Sequence, residues 1–138
     1  MAEIFHSLEH PFWGTLRKRE GADNWEHEIV AHWPGRGDIR VCFYVTNPED
    51  EIAQRNYETI TQQWESLWPR ILSRTDAMRA YYGYGEFPTD LSRDYFDIRL
   101  ATSPLDEGAE WTVMLQAKEA GWLLDFKGWD DFGGQGVF

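Results

Sequence analysis

The arrangement of apolar and polar positions divides the chain into three blocks. Between residues 12 and 46, Phe12–Arg19, Trp25–Trp33 and Ile39–Thr46 read as strands, separated by the turn-forming stretches Gly21-Ala22-Asp23-Asn24 and Pro34-Gly35-Arg36-Gly37-Asp38. In the third of these, Ile39, Val41, Phe43 and Val45 alternate with Arg40, Cys42, Tyr44 and Thr46, so the first set is expected to face a core. Asn47-Pro48-Glu49-Asp50 then reads as a helix start, with Asn47 as N-cap, Pro48 at the first helical position and acids at the positive end of the dipole. Ala53, Tyr57, Ile60, Trp64, Leu67, Ile71 and Met78 follow at helical spacing. A straight helix from Pro48 to Gly83 would be about 54 Å long, longer than the roughly 37 Å diameter of a compact domain of this size. A kink or break is therefore expected near Trp68-Pro69.

A second set of strands is expected at Tyr95–Thr102, Glu110–Lys118 and Trp122–Lys127, the middle one alternating Trp111, Val113, Leu115 and Ala117 with Thr112, Met114, Gln116 and Lys118. The tail from Asp130 to Phe138, with Gly133, Gly134 and Gly136, reads as irregular or as a short edge strand. The expected fold is thus α+β: an antiparallel sheet of about six strands in βββ-αα-βββ order, with a kinked or broken amphipathic helix pair on one face. The 138 residues contain no internal repeat or linker-like stretch and fit one domain, 1–138. Hydrophobic residues make up 42% and aromatics 16%, which excludes disordered and fibrous classes and supplies a core without disulfide or metal staples.

Thirteen basic against 24 acidic residues give a net charge of −11, a sign that repels nucleic-acid backbones. Residues 86–131 carry −7 of it, from eleven acids against four bases, and such a field steers a basic partner. One cysteine, Cys42, excludes an internal disulfide framework, and with no close basic neighbour in sequence it reads as inert. The start at Met1 shows no secretory pattern and no apolar run approaches a membrane span, so a cytoplasmic location and no membrane partner are expected.

His6-Ser7-Leu8-Glu9-His10 matches the spacing of a helical zinc motif, but Pro11 follows at once, so the segment reads as a short turn with solvent-exposed His and no bound metal. His27 shares an inward face with Trp25, Ile29 and Trp33, the place of a packed, hydrogen-bonded histidine, while His32 shares the other face with Glu28 and Val30. Asp131-Phe132-Gly133 spells a kinase tripeptide without the rest of a kinase, and no G-x-S-x-G occurs. No cofactor is expected. Trp64 and Trp68, four apart with Leu67 and Ile71 nearby, read as the helix-to-sheet contact. If one helical layer covers the sheet, Trp13, Val30, Tyr44 and Met114 are displayed on its other face.

His10-Pro11-Phe12-Trp13-Gly14-Thr15-Leu16 opening a meander, an acidic-capped helix pair and a closing Trp111, Trp122 and Gly128-Trp129 stretch resemble small, acidic bacterial α+β domains encoded as stand-alone genes. Some of these are similar to immunity proteins of contact-dependent and polymorphic toxin systems. The resemblance covers most of the chain and implies protein binding, with no catalytic residue carried over. The expected function is accordingly a non-enzymatic cytosolic binding protein, an immunity-type inhibitor of a basic partner, using Trp13, His32, Tyr44, Met114, Asp130 and Asp131. The alternative is a small-molecule-binding domain or enzyme with a Trp/Tyr-lined pocket between sheet and helices, and a third reading is a homodimer joined through the aromatic sheet face.

Overall fold

Among the described residues, alternation carries the chain into one eight-stranded sheet with strand order β1 to β8. The computed structural model describes residues 5–33, 37–83, 95–116 and 121–137, with side chains at 33, 37, 131, 132 and 135–137 left out. Strands β1 (Phe5–His10), β2 (Gly14–Arg19), β3 (Trp25–Trp33) and β4 (Gly37–Val45) form an antiparallel meander. Helices α1 (Glu51–Gln62) and α2 (Trp64–Tyr81) follow, and then β5 (Tyr95–Arg99) lies parallel to β4. Parallel neighbours need a crossover, and the helix pair supplies it. Strands β6 (Glu110–Gln116), β7 (Gly121–Lys127) and β8 (Asp130–Val137) complete the sheet antiparallel to one another. The α+β class and the helix pair on one face match the sequence reading, whereas the expected antiparallel six-stranded βββ-αα-βββ order is corrected: the described strands number eight, in ββββ-αα-ββββ order, and β4 and β5 run parallel.

Both added strands are at the sheet edges and carry weak signals. In β1, His6 to Glu9 are exposed, so no burial imposes an apolar alternation on FHSLEH. In β8 glycines replace the side chains that would show a period, and at Gly134 the reason is close approach: an added Cβ would stand 2.7 Å from Met78 Sδ of α2 and 2.9 Å from the Leu123 carbonyl oxygen. The expected turn residues 34–36, the loop 84–94 and the link 117–120 lie outside the described residues.

The inner face is the one the alternation assigns. Ile39, Val41, Phe43 and Val45 are buried together with Phe96 and Ile98 of β5, Trp111, Val113 and Leu115 of β6, and Trp122, Leu124 and Phe126 of β7. Onto this face α1 and α2 press Ala53, Ile60, Leu67, Trp68 and Ile71, while Tyr57 and Trp64 are half-buried against the same core. Buried Asn56 ties α1 to the loop after β5: its amide donates to the Ala101 and Ser103 carbonyls, and its oxygen accepts from the Leu105 N–H. Each polar atom of this buried side chain is thereby satisfied.

Two helix expectations are corrected. The N-cap is Asp50, not Asn47; its carboxylate accepts from the N–H groups of Ile52 and Ala53, and Asn47 instead accepts from the Glu49 N–H in the preceding turn. The break falls at Gln63, six residues before Pro69, which sits inside α2. The Thr59 hydroxyl donates back to the Arg55 carbonyl and Thr61 to those of Tyr57 and Glu58, a pattern that bends helices, so the interruption occurs where α1 ends.

The stacked pair Trp64 and Trp68, with ring centroids 4.8 Å apart, divides its roles by burial. Trp68 is 2% exposed and meets Phe96 edge to face, whereas Trp64 is half-buried. Trp68→Ala should therefore cost about 3–5 kcal/mol in urea unfolding, and Trp64→Ala clearly less. Equal losses would contradict this division.

Candidate functional site

Because the helices cover one face, every second side chain of the central strands emerges on the other. The register sets these residues in rows across the sheet: Arg17, Glu26, Tyr44, Arg99, Thr112 and Asp125 in one, and Glu28, Cys42, Asp97, Met114 and Leu123 in the next. They surround a trough of about 320 Å³, whose lining includes Arg19, Asn24, Glu26, Tyr44, Asp97, Arg99, Met114, Gln116 and Leu123. A shallower groove sharing Arg99 and Thr112 continues past Glu110 and Asp125, and another sharing Arg19 and Glu26 reaches Glu28, Arg40, Cys42 and Tyr95.

The floor of the trough holds two desolvated carboxyl groups. Glu26, 8% exposed, is met by Arg19 Nε at 3.4 Å and accepts from the Cys42 thiol at 3.6 Å. Asp97 accepts from the Gln116 amide at 3.0 Å. Its other oxygen, Oδ1, is buried with no hydrogen-bond partner among the described residues. Burial raises the Asp97 pKa above the ordinary carboxylate value, with nearby Glu26 adding to the shift and the polar groups of Gln116 and Tyr44 opposing it. Burial likewise pushes the Cys42 thiol up to about 12, helped by the charges of Glu26 and Asp97, which fits the inert role expected of it, and raises Tyr44 and Tyr95. At the outer end, Arg17 Nη2 and Arg40 Nη1 stand 3.8 and 3.9 Å from the Glu28 carboxylate.

Of the residues expected to bind, Tyr44 and Met114 do meet in the trough. Trp13 does not, and its assignment to this face is corrected. It belongs to the β1–β2 turn, where Gly14 at φ +74° reverses the chain and ends the strand period, so the indole folds under the sheet on the helical side. There it is 3% exposed, donates from Nε1 to the Pro48 carbonyl, and packs on His27 and Tyr57. His32 is exposed beside Asp38, at 3.1 Å, and lines a separate, mainly apolar cavity of about 410 Å³ at the helix edge with Trp64 and Trp68. Asp130 is exposed where β8 begins; the Asp131 side chain lies outside the described residues. Asp106, Glu107 and Glu110 are exposed in the same part of the fold, where Lys127 pairs in register with both Glu110 and Asp130.

Sequence reasoning missed Glu26, Asp97 and Gln116, which line the trough with Tyr44. Each was legible as an open-face position by alternation, but their convergence depends on β4 pairing with β5 across the helical crossover. The zinc-like pentapeptide is strand β1, where residues four apart lie about 13 Å apart. His6 is exposed as expected, but the exposed turn foreseen for His10 is corrected: its side chain is buried, Nδ1 accepting from the Phe12 and Trp13 N–H groups and Nε2 donating to Glu49 at 2.6 Å. Among the described residues no three His, Cys, Asp or Glu stand together as a metal site, and no helix is long and apolar enough to cross a membrane. His27 packs as foreseen, its Nε2 3.0 Å from the Tyr57 hydroxyl, and burial lowers its pKa.

No family model matches the chain, and neither does any curated protein or solved structure.

The raised pKa of Asp97 makes a signed prediction. The folded chain holds this proton to higher pH than the unfolded chain, so stability from Asp97 is greatest below the unfolded value near 3.8 and falls as pH rises through the raised folded value. Asp97→Asn should lack that fall and be at least as stable as the parent at pH 7, read from urea midpoints between pH 3.5 and 7. A variant destabilised at pH 7 would show instead that the ionised carboxylate supports the fold.

Proposed function

We propose that this chain is a non-enzymatic cytosolic binding protein, an immunity-type inhibitor that engages a basic protein through the helix-free face of its sheet. The observation that carries this reading is the trough itself: a concave surface in which the apolar side chains of Met114 and Leu123 and the ring of Tyr44 lie beside the carboxyl groups of Glu26 and Asp97. An antiparallel sheet covered on one side ordinarily turns polar residues to water on the other, so aromatic and apolar side chains there support contact with a partner. Tyrosine anchors contribute disproportionately to interface energy, and the exposed carboxylates of Asp106, Glu107, Glu110 and Asp130, with the net charge of −11, raise the encounter rate with a cationic surface.

The small-molecule alternative has its own geometry, the cavity of about 410 Å³ beside His32, Trp64 and Trp68. That cavity lies at the helix edge, apart from Tyr44 and Met114, so the two readings are separable by mutation.

Affinity capture from the native cell should yield a basic protein that reassembles with the purified chain from pure components. Tyr44→Ala should weaken that complex by more than about 1 kcal/mol, and raising salt from low to physiological concentration should slow association. A complex indifferent to both changes, and weakened instead by Trp64→Ala, would move the function to the helix-edge cavity.

A further inference from the structure

One acceptor at the floor of the trough lacks a donor among the described residues. Asp97 Oδ2 is met by Gln116, but Oδ1 is buried and has no partner among the described residues. Buried polar groups in folded proteins are paired almost without exception, so an orphaned carboxylate oxygen in a cavity points to a donor that completes it. Beside it, Met114 and Leu123 face each other across β6 and β7 and give the trough an apolar wall. The Gln116 amide lies 3.0 Å from Asp97 Oδ2 and 2.9 Å from Met114 Sδ, so two long, unbranched side chains meet at the carboxyl and can give way together. The cavity volume, about 320 Å³, is at the lower end of the range for ligand pockets and suits one side chain.

We propose that the trough receives a single cationic side chain of the partner protein, arginine or lysine, with its charged end hydrogen-bonded to Asp97 and its aliphatic stem along Met114 and Leu123. This rests on the reading of the face as a site for a basic protein, and adds which chemistry enters it and where. Arginine fits the floor better, because its fork of donors can satisfy both carboxylate oxygens at once. The face already accommodates a guanidinium, since Arg40 lies over the Tyr95 ring at 5.2 Å. Two cations line the trough as well: Arg19 is engaged by Glu26 and Arg99 is exposed, so the buried unmet group at this site among the described residues is an acceptor, Asp97 Oδ1.

Titration of the full chain with Nα-acetyl-arginine amide, Nα-acetyl-norleucine amide and Nα-acetyl-aspartate amide, followed through the Gln116 side-chain amide signals by NMR, tests this. The arginine derivative should bind at least tenfold more tightly than the other two. Asp97→Asn should weaken it at least tenfold, and Arg55→Ala, at an exposed position of α1 away from the trough, by less than twofold. Arginine binding no better than norleucine overturns the proposal, as does preferential binding of the aspartate derivative that is lost in Arg99→Ala, which would mark an anion site. The three-ligand comparison on the unaltered chain decides the matter even if Asp97→Asn fails to fold. If arginine selectivity is absent while Tyr44→Ala still weakens the protein complex, only this inference falls; if Tyr44→Ala has no effect on the complex either, the reading beneath it falls too.

Discussion

A strand turns successive side chains to opposite faces, and that constraint, applied to a wide sheet whose described helices both lie on one face, determines most of what this molecule displays. Burying Val41, Phe43, Phe96, Ile98, Val113 and Leu115 under α1 and α2 obliges Cys42, Tyr44, Asp97, Thr112 and Met114 to emerge on the far side. Because β4 and β5 are joined by the helical crossover, residues more than fifty positions apart become cross-strand neighbours, Cys42 with Asp97 and Tyr44 with Arg99. The hydrophobic burial that holds the helices down is thus the same event that assembles the polar trough above.

The inner face was legible in sequence because burial enforces the period. Each of Ile39, Val41, Phe43 and Val45 is buried, as the alternation required. Where burial does not act, the period disappears: β1 is exposed along most of its length and was not foreseen, and β8, whose Gly134 admits Met78 of α2, was foreseen only as one of two readings of the tail, irregular or a short edge strand. Local chemistry also misled at three points. The Asn47-Pro48 pair suits a cap, yet Asp50 has the geometry; Pro69 suggested the break, yet the threonine back-bonds end α1 at Gln63; and Trp13 counted as part of a strand that in fact begins one residue later.

The same logic explains what could be read of the candidate site. Tyr44 and Met114 stood out as large side chains on a face that ought to be polar. Glu26, Asp97 and Gln116 looked like ordinary solvated residues, and only strand pairing shows that Glu26 is 8% exposed and that Asp97 is raised in pKa by burial. Charge alone would have placed the site at the acidic end of the fold, whereas the structure separates the two: exposed carboxylates near Lys127 and the β7–β8 turn suited to long-range attraction, and desolvated ones in the trough suited to short-range recognition.

The central claim is that the helix-free face is the functional surface, and the chain's three methionines offer a direct reading of it. Met114 lies in the trough, and Met78 is packed between α2 and Gly134 on the opposite side. With methyl-labelled methionine, addition of the captured partner should shift or broaden the Met114 resonance and leave Met78 unchanged. Perturbation of Met78 with Met114 unmoved would place the interface on the helical side and contradict the account.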